Sequence, residues 1–458
     1  MHTTIDRLSA RQKRLILVTC SLSLLISSMD TTIVNVALPA IHTQLHAPVS
    51  HLQWVVDIYT LTLASLLVLA GASADRFGRR RVFRIGLVTF AVGSLLCSLA
   101  PSVGVLIAAR ALQAVGGSML NPVAMSIITA VFTDRSERAR AIGVWGAVVG
   151  ISTALGPLVG GILIDALGWQ SVFWINLPIC AVALTLTFIV VPESKASRAR
   201  GIDPIGQLLA MAIMFTAVFG LIERQPLMFA LTAITLAAFV FHESRHASPF
   251  IDLRFFRSVP FSAATLSAVC AFAGFGAFLF TMSIYLQNTR RFSAVETGLM
   301  FLPMALCVLV TSPVSGRLVA RYGTRPSLLG AGVLMTVAAA IFSTVRADTS
   351  LVELGIAFAA FGIGFGLVNA PITNSAVSGM PLDRAGAAAA MATTSRQIGI
   401  SLGVALCGRL AGAGLWWTVA GFAVVVAVLA VLSNTAAAER SRQRIAPLLE
   451  QKVSSGVR

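Results

Sequence analysis

Apolar stretches close to 20 residues long recur along the whole chain, from Leu15 to Ser433, with only short polar or arginine-rich connections between them. As an α-helix, one such stretch is long enough to cross the roughly 30 Å hydrocarbon layer of a bilayer. No single water-surrounded core absorbs so much apolar length. Composition agrees: 57% of the 458 residues are hydrophobic and only 11% are charged, and the mean hydropathy is +0.86. A soluble domain carries about a quarter charged residues.

The first span, from about Leu15 to Ala40, exceeds the roughly 7–15 residue apolar core of a secretory signal. It reads as an uncleaved first helix. Cys20, Cys97, Cys180, Cys270, Cys307 and Cys407 lie singly in apolar stretches, with no CxxC pair. That spacing indicates neither a disulfide framework nor a thiolate metal site.

A net charge of +16 suggests nucleic acid in a soluble protein, but its distribution points to membrane topology. Connections alternate between basic and nearly charge-free, as the positive-inside rule requires. The basic set holds Arg7, Arg11, Lys13 and Arg14; Arg76, Arg79, Arg80, Arg81 and Arg84; Arg135, Arg138 and Arg140; and Lys195, Arg198 and Arg200. Further along come Arg245, Arg254 and Arg257, then Arg317, Arg321 and Arg325, then Arg440, Arg442 and Arg444. Both termini are therefore expected in the cytoplasm of a multi-pass inner-membrane protein. Arg224, Arg290, Arg291 and Arg346 are exceptions on the other side.

The pattern predicts an all-α polytopic membrane protein of about fourteen helices. Its expected divisions are a cytoplasmic segment 1-14, a six-helix bundle 15-191, a linker 192-259 with two additional helices, a second six-helix bundle 260-434 and a cytoplasmic tail 435-458. An internal repeat supports the two halves: Gly71-Ala-Ser-Ala-Asp-Arg-Phe-Gly-Arg-Arg80 aligns without gaps with Gly316-Arg-Leu-Val-Ala-Arg-Tyr-Gly-Thr-Arg325. Parallel halves around a midplane cavity suit alternating access.

At this level of detail the chain resembles the major facilitator superfamily, in particular its fourteen-span drug:proton antiporters. The first helix, Met29-Asp-Thr-Thr-Ile-Val-Asn-Val-Ala-Leu-Pro39, is similar to that family's first-helix signature. The loop from Gly71 through Asp75, Arg76, Gly78 and Arg79 resembles the superfamily's loop motif, and Arg110-Ala-Leu-Gln113-Ala-Val-Gly116 its fourth-helix motif. Gly150 with Gly156-Pro157-Leu-Val-Gly160-Gly161 resembles the fifth-helix antiporter motif. Trp174-Ile-Asn176-Leu-Pro178, Tyr285-Leu-Gln287 and Ser395-Arg396-Gln397-Ile-Gly399 complete the set. Two departures stand out: Ala320 replaces Asp75 in the second loop copy, and Ala114 follows Gln113 where the family has glycine. The resemblance implies a proton-coupled exporter of small amphipathic or hydrophobic compounds such as antibiotics, not an enzyme, with no cofactor. A single chain in the lipid bilayer is expected to suffice, with protons and a small molecule as partners and no nucleic acid.

Ionisable groups at membrane depth are functional candidates by default. Asp30, Asp57 and Arg110 each lie seven to nine residues from an expected external helix end, or roughly 10–13 Å down. Asp30 is expected to take up the proton and Arg110 to set its affinity, with Asp57 grouped beside them; a structural Asp30–Arg110 ion pair, and for Asp57 an interfacial place near its helix start, are the plainer alternatives. Gly150, Gly156, Pro157, Gly160 and Gly161 permit close helix approach and bending, and Arg396 is grouped with these conformational positions. Candidate cavity residues are Asn35, Trp54, Gln113, Asn121, Phe275, Gln287 and Asn369. Asn374, Phe272, Phe278 and Phe280 share those segments.

Some patterns mislead. His242-Glu-Ser-Arg-His246 fits HExxH, yet it ends an apolar span and Pro249 soon follows, so no metal is expected. Phe361-Gly-Ile-Gly-Phe-Gly366 has no preceding strand and reads as helix packing. Without a P-loop lysine, ATP is not the expected energy source. Alternatives to drug export are a dedicated exporter of an endogenous metabolite or lipid, and a membrane sensor that has lost transport.

Overall fold

The computed structural model describes residues 8–196, 203–246, 250–378, 382–410, 412–433, 435, 437–441 and 444. Arg7, Arg198, Arg200, Pro249, Arg442 and most of the 435-458 tail lie outside these residues. Every regular element among the described residues is helical. In chain order they are α1 Ala10–Leu45, α2 Val49–Phe77, α3 Arg79–Ser98, α4 Val103–Val131, α5 Arg135–Leu167, α6 Ser171–Val190, α7 Pro204–Ile222 and α8 Pro226–Arg245. There follow α9 Val259–Thr289, α10 Ala294–Tyr322, α11 Thr324–Ser343, α12 Leu351–Val377, α13 Leu382–Cys407 and α14 Ala413–Leu432.

Twelve of these are long and apolar enough to cross a bilayer, and α5 makes a thirteenth if its two bent parts count as one span. The expected count of about fourteen is not reached by this measure, and the reason is local. α13 is 26 residues long, but Thr393, Thr394, Ser395, Arg396 and Gln397 fall together in its middle and dilute its apolar character.

Helix irregularities have identifiable causes. α5 bends by 43° between Ser136–Thr153 and Leu155–Leu167. Pro157 lacks an N–H and its ring crowds the carbonyl four residues back, which is Thr153. α6 breaks at Ile175, between Ser171–Trp174 and Asn176–Val190, so Asn176 starts the second piece. α9 ends in a π-helical turn, Tyr285–Thr289. α12 breaks after Gly366, and Asn369 starts its second piece.

The chain forms two compact units. The first comprises residues 1–207 with 282–301. Its interior packs Tyr59, Leu63, Phe83, Leu87, Phe90, Leu120, Val123 and Ile127. Small residues bring its helices together: a Cβ on Gly93 would lie 2.5 Å from the Gln113 backbone, and one on Gly116 would collide with the Phe90 amide. Lacking a hydrophobic drive between them, helices in lipid associate through such close van der Waals packing.

The second unit comprises residues 208–281 with 302–458. Aromatic rings fill it: Phe278 stacks on Phe361 at 4.5 Å, and Phe342 lies 4.6 Å from Trp416. The Phe361–Gly366 stretch is helix packing, as expected, since Gly362 abuts the Met304 carbonyl and Gly364 the Met335 side chain. α8 is peripheral, with 11% of its apolar window buried. Leu227, Ile234 and Val352 are each at least 65% exposed, a surface that suits lipid and not water.

The two repeat copies share their geometry. Gly78 (φ +112°) separates α2 from α3, and Gly323 (φ +78°) separates α10 from α11. Both use the left-handed region that only glycine enters without strain, so each reverses the chain in a single residue.

Candidate functional site

In hydrocarbon a polar group must find its partner within the protein, and the first unit contains one place where many do. Asp30 on α1 is fully buried and Arg110 on α4 is 1% exposed. An Arg110 terminal nitrogen donates to Asp30 Oδ2 at 2.5 Å and to Gln113 Oε1 at 2.7 Å. Its Nε donates to the Val55 carbonyl of α2 at 3.1 Å. The guanidinium lies over the Tyr59 ring at 4.1 Å and 5.8 Å from the Phe173 ring of α6.

Gln113, one helical turn beyond Arg110, completes the other side. Its Nε2 donates to Asp30 Oδ1 at 2.8 Å and to Ser94 Oγ of α3 at 2.7 Å. Asn176, placed by the break in α6, donates to Ser94 Oγ at 3.1 Å and to Asp30 Oδ1 at 3.4 Å. Five helices therefore converge on one carboxylate whose two oxygens both accept. Such a cluster specifies one arrangement, because losing any member strands another in low dielectric.

Asp57 is equally buried. Val55 and Tyr59, four residues apart, face Arg110 together; Asp57 lies between them, about 200° around the helix, and faces away. Asn35 is buried with its amide bonded to the Thr31 carbonyl. Asn121 donates to Ser27 Oγ at 3.4 Å, Gln287 donates to the Val36 carbonyl at 2.9 Å, and Trp54 is half-buried. All of these belong to the first unit.

The glycines of α5 pack against the turn of α1 just past Asp30. A Cβ on Gly156 would collide with Thr32 Oγ1, and one on Gly160 would lie 2.6 Å from the Ile33 side chain. On its other side α5 meets the start of α10. Gly161 abuts the Ala294 carbonyl, and a Cβ on Gly298 would lie 2.6 Å from the Pro157 carbonyl oxygen. Asp165 closes this seam by accepting from the backbone amides of Ala294 (3.2 Å) and Val295 (3.0 Å), where the helix's free N–H groups favour an anion. Gly150 lies in the segment before the bend.

In the Gly71–Arg79 motif, Asp75 in the last turn of α2 pairs at 3.1 Å with Arg79, the first residue of α3. The neighbouring charge is Glu193, after α6. Its Oε1 accepts from the Arg80 amide at 3.1 Å, and its carboxylate fills the space beside Gly78. Arg79 N–H donates to the Ser194 carbonyl at 2.9 Å. Gly71 touches Pro122, while Arg76 is exposed. In the second copy nothing among the described residues lies within 4 Å of a Cβ on Gly323. Glu193→Ala is expected to lower stability by about 1.5–3 kcal/mol, the scale of a lost charged hydrogen bond. Thermal unfolding in detergent measures this.

In the second unit, Phe275 is 3% exposed and stacks on Phe365 at 4.2 Å, inside an aromatic core. Arg396 reaches Asn369 and Thr373 on α12. In the HExxH-like stretch the His242 and His246 rings stack at 5.1 Å. Glu243 is buried and caps the Ile251 amide at 3.1 Å, which is a structural task.

The residues missed at the sequence level are Ser94, Tyr59, Asp165 and Glu193; Asn176 was quoted for its motif without a role. A serine or tyrosine in an apolar helix carries no signal of what it faces. Asp165 and Glu193 both follow apolar runs, where a carboxylate looks like an ordinary helix end.

Known proteins resemble this arrangement over most of its length. The Major Facilitator Superfamily profile matches residues 20–404. The multidrug resistance protein Stp of Mycobacterium tuberculosis is 37% identical over 417 residues, covering 88% of this chain and 77% of that one. The tetracenomycin C resistance and export protein of Streptomyces glaucescens is 36% identical, covering 86% and 75%. The multidrug efflux pump LfrA of Mycolicibacterium smegmatis is 31% identical, covering 85% and 79%. The crystal structure of the human organic anion transporter MFSD10 superposes with a TM-score of 0.64 at 17% identity, covering 91% of this chain and 99% of that one, a likeness of fold. With the profile spanning most of the chain and these relatives aligned along it, the protein is a member of the major facilitator superfamily.

Proposed function

We propose that the protein exports small amphipathic or hydrophobic compounds in exchange for protons. The observation that carries this reading is the buried Asp30–Arg110 pair inside a membrane-spanning bundle. Relatives described as multidrug resistance proteins and efflux pumps support the cargo class.

Asp30 has two states. Ionised, it neutralises Arg110 and ties α1 to α4. A proton on Oδ2 removes the charge, and Arg110 keeps only the Gln113 oxygen and the Val55 carbonyl. The bond between α1 and α4 weakens at that moment. Because Thr32 and Ile33 sit on the same turn of α1 and form the surface under Gly156 and Gly160, a shift of α1 reaches α5 directly. Through α5 it reaches the seam with α10. A local charge change is thus converted into the loosening of a packed interface, and a midplane proton site of this kind suits alternating access. In this reading both termini lie in the cytoplasm, the bundles 15-191 and 260-434 alternate around the cargo, and one chain suffices.

The test is efflux from vesicles containing the purified protein, across a panel of hydrophobic compounds. Imposing a pH gradient should accelerate export, and a protonophore should slow it about tenfold or more, as expected when charge movement supplies the drive. Export that continues undiminished after the gradient is collapsed refutes proton coupling.

A further inference from the structure

α13 carries Arg396 fourteen residues after Leu382 and eleven before Cys407. At 1.5 Å per residue that is roughly 16 Å of helix or more on either side, which places the guanidinium at hydrocarbon depth and away from a headgroup layer. Its surroundings, all in the second unit, are neutral. One terminal nitrogen donates to Thr373 Oγ1 at 2.5 Å and to the Asn369 carbonyl at 3.4 Å. The Phe272 ring lies 5.7 Å away. Among the described residues no carboxylate forms an ion pair with it, and its buried Nε has no hydrogen-bond partner.

The contrast with Arg110 is direct. Arg110 has a carboxylate, an amide oxygen, a carbonyl and a ring; Arg396 has two neutral oxygens and a ring, with donors left over. Arg396 is partly exposed, beside the exposed Thr373. A guanidinium at this depth that faced lipid without a counter-ion would be prohibitively costly. Such residues face a polar, water-filled space and mark the path of what is carried. The guanidinium fork is shaped for a planar carboxylate. Next to it, Phe272 forms the edge of an aromatic stack, 5.0 Å from Phe365, which in turn covers Phe275.

We propose that Arg396 is an anion-recognition point, and that the protein takes aromatic compounds bearing a carboxylate, with the carboxylate on the free donors of Arg396 and the ring against Phe272. This rests on the export reading for its biological sense, but the binding itself does not depend on proton coupling.

The experiment is equilibrium dialysis of the purified full-length protein in detergent, at neutral pH and without any gradient, with 2-naphthoate and with its neutral counterpart 2-naphthylmethanol. The wild-type protein is expected to bind the acid about tenfold more tightly, the scale of one charge-assisted bidentate contact. Arg396→Gln should reduce that preference to about twofold or less while leaving the alcohol's affinity within about twofold, and Arg396→Lys, with a point charge but no fork, should fall between them. Equal wild-type affinities for the two compounds overturn the proposal, and so does a preference that survives in Arg396→Gln. A loss of both compounds to the same degree in Arg396→Gln and Arg396→Lys also overturns it, by making Arg396 structural. Failure of proton-driven efflux leaves this measurement untouched, so the two readings fall separately.

Discussion

Asp30→Asn is expected to reduce pH-gradient-driven efflux to nearly that of empty vesicles. Asparagine has the size and shape of aspartate and keeps an oxygen for the Gln113 amide, so the packing around residue 30 is preserved. It has no proton to gain or lose and no charge for Arg110. Arg110 is 1% exposed, and stranding a buried ion by removing its partner costs about 3–5 kcal/mol. A fall in thermal stability should therefore accompany the loss of coupling. The two effects separate in the double variant Asp30→Asn with Arg110→Gln, where the stranded cation is gone: stability should recover in part and coupled export should not. Gradient-dependent export that persists in full in Asp30→Asn removes Asp30 from the proton step.

The second large effect is expected at Gly161. Its missing side chain lets the Ala294 carbonyl rest against α5. Because that neighbour is backbone and not the tip of a flexible side chain, Gly161→Ala must push α10 off α5. The displacement strains the two amide bonds to Asp165, so the seam should open and export should fall about tenfold or more, on the scale of overpacking costs of 1–3 kcal/mol. The accompanying observable is labelling of Ala294→Cys by a membrane-impermeant maleimide. Ala294 is 4% exposed and should react slowly with Gly161 in place and markedly faster with Gly161→Ala. Gly104→Ala, where nothing lies within 4 Å, is the silent control. Equal labelling in all three backgrounds would show that the seam does not govern access.

Much of this was readable beforehand, for a physical reason. A bilayer forces apolar length, and it makes each buried charge conspicuous, so helix order and the pairing of Asp30 with Arg110 followed from spacing. What sequence could not give was direction around a helix axis. Asp57 shares the depth of Asp30 and Arg110 yet faces away from them, because it lies between Val55 and Tyr59. Phe275 lies within an aromatic stack. A second carboxylate beside the motif, Glu193, was not foreseen, because its place beside Gly78 depends on where α6 ends. Of the fourteen helices, hydropathy leaves out α13, whose polar middle dilutes its apolar character, and counts α5 only if its two bent parts are one span. The same polar middle contains Arg396.

The turn of α1 from Asp30 to Ile33 serves two sides at once, α4 and α6 through the carboxylate and α5 through Thr32 and Ile33. Selection therefore has little freedom there: an exchange at this turn that suits one neighbour disturbs the other. On the reading proposed above, exchanges near Arg396 on α9, α12 and α13 alter what is recognised without touching the contact between Asp30 and Arg110.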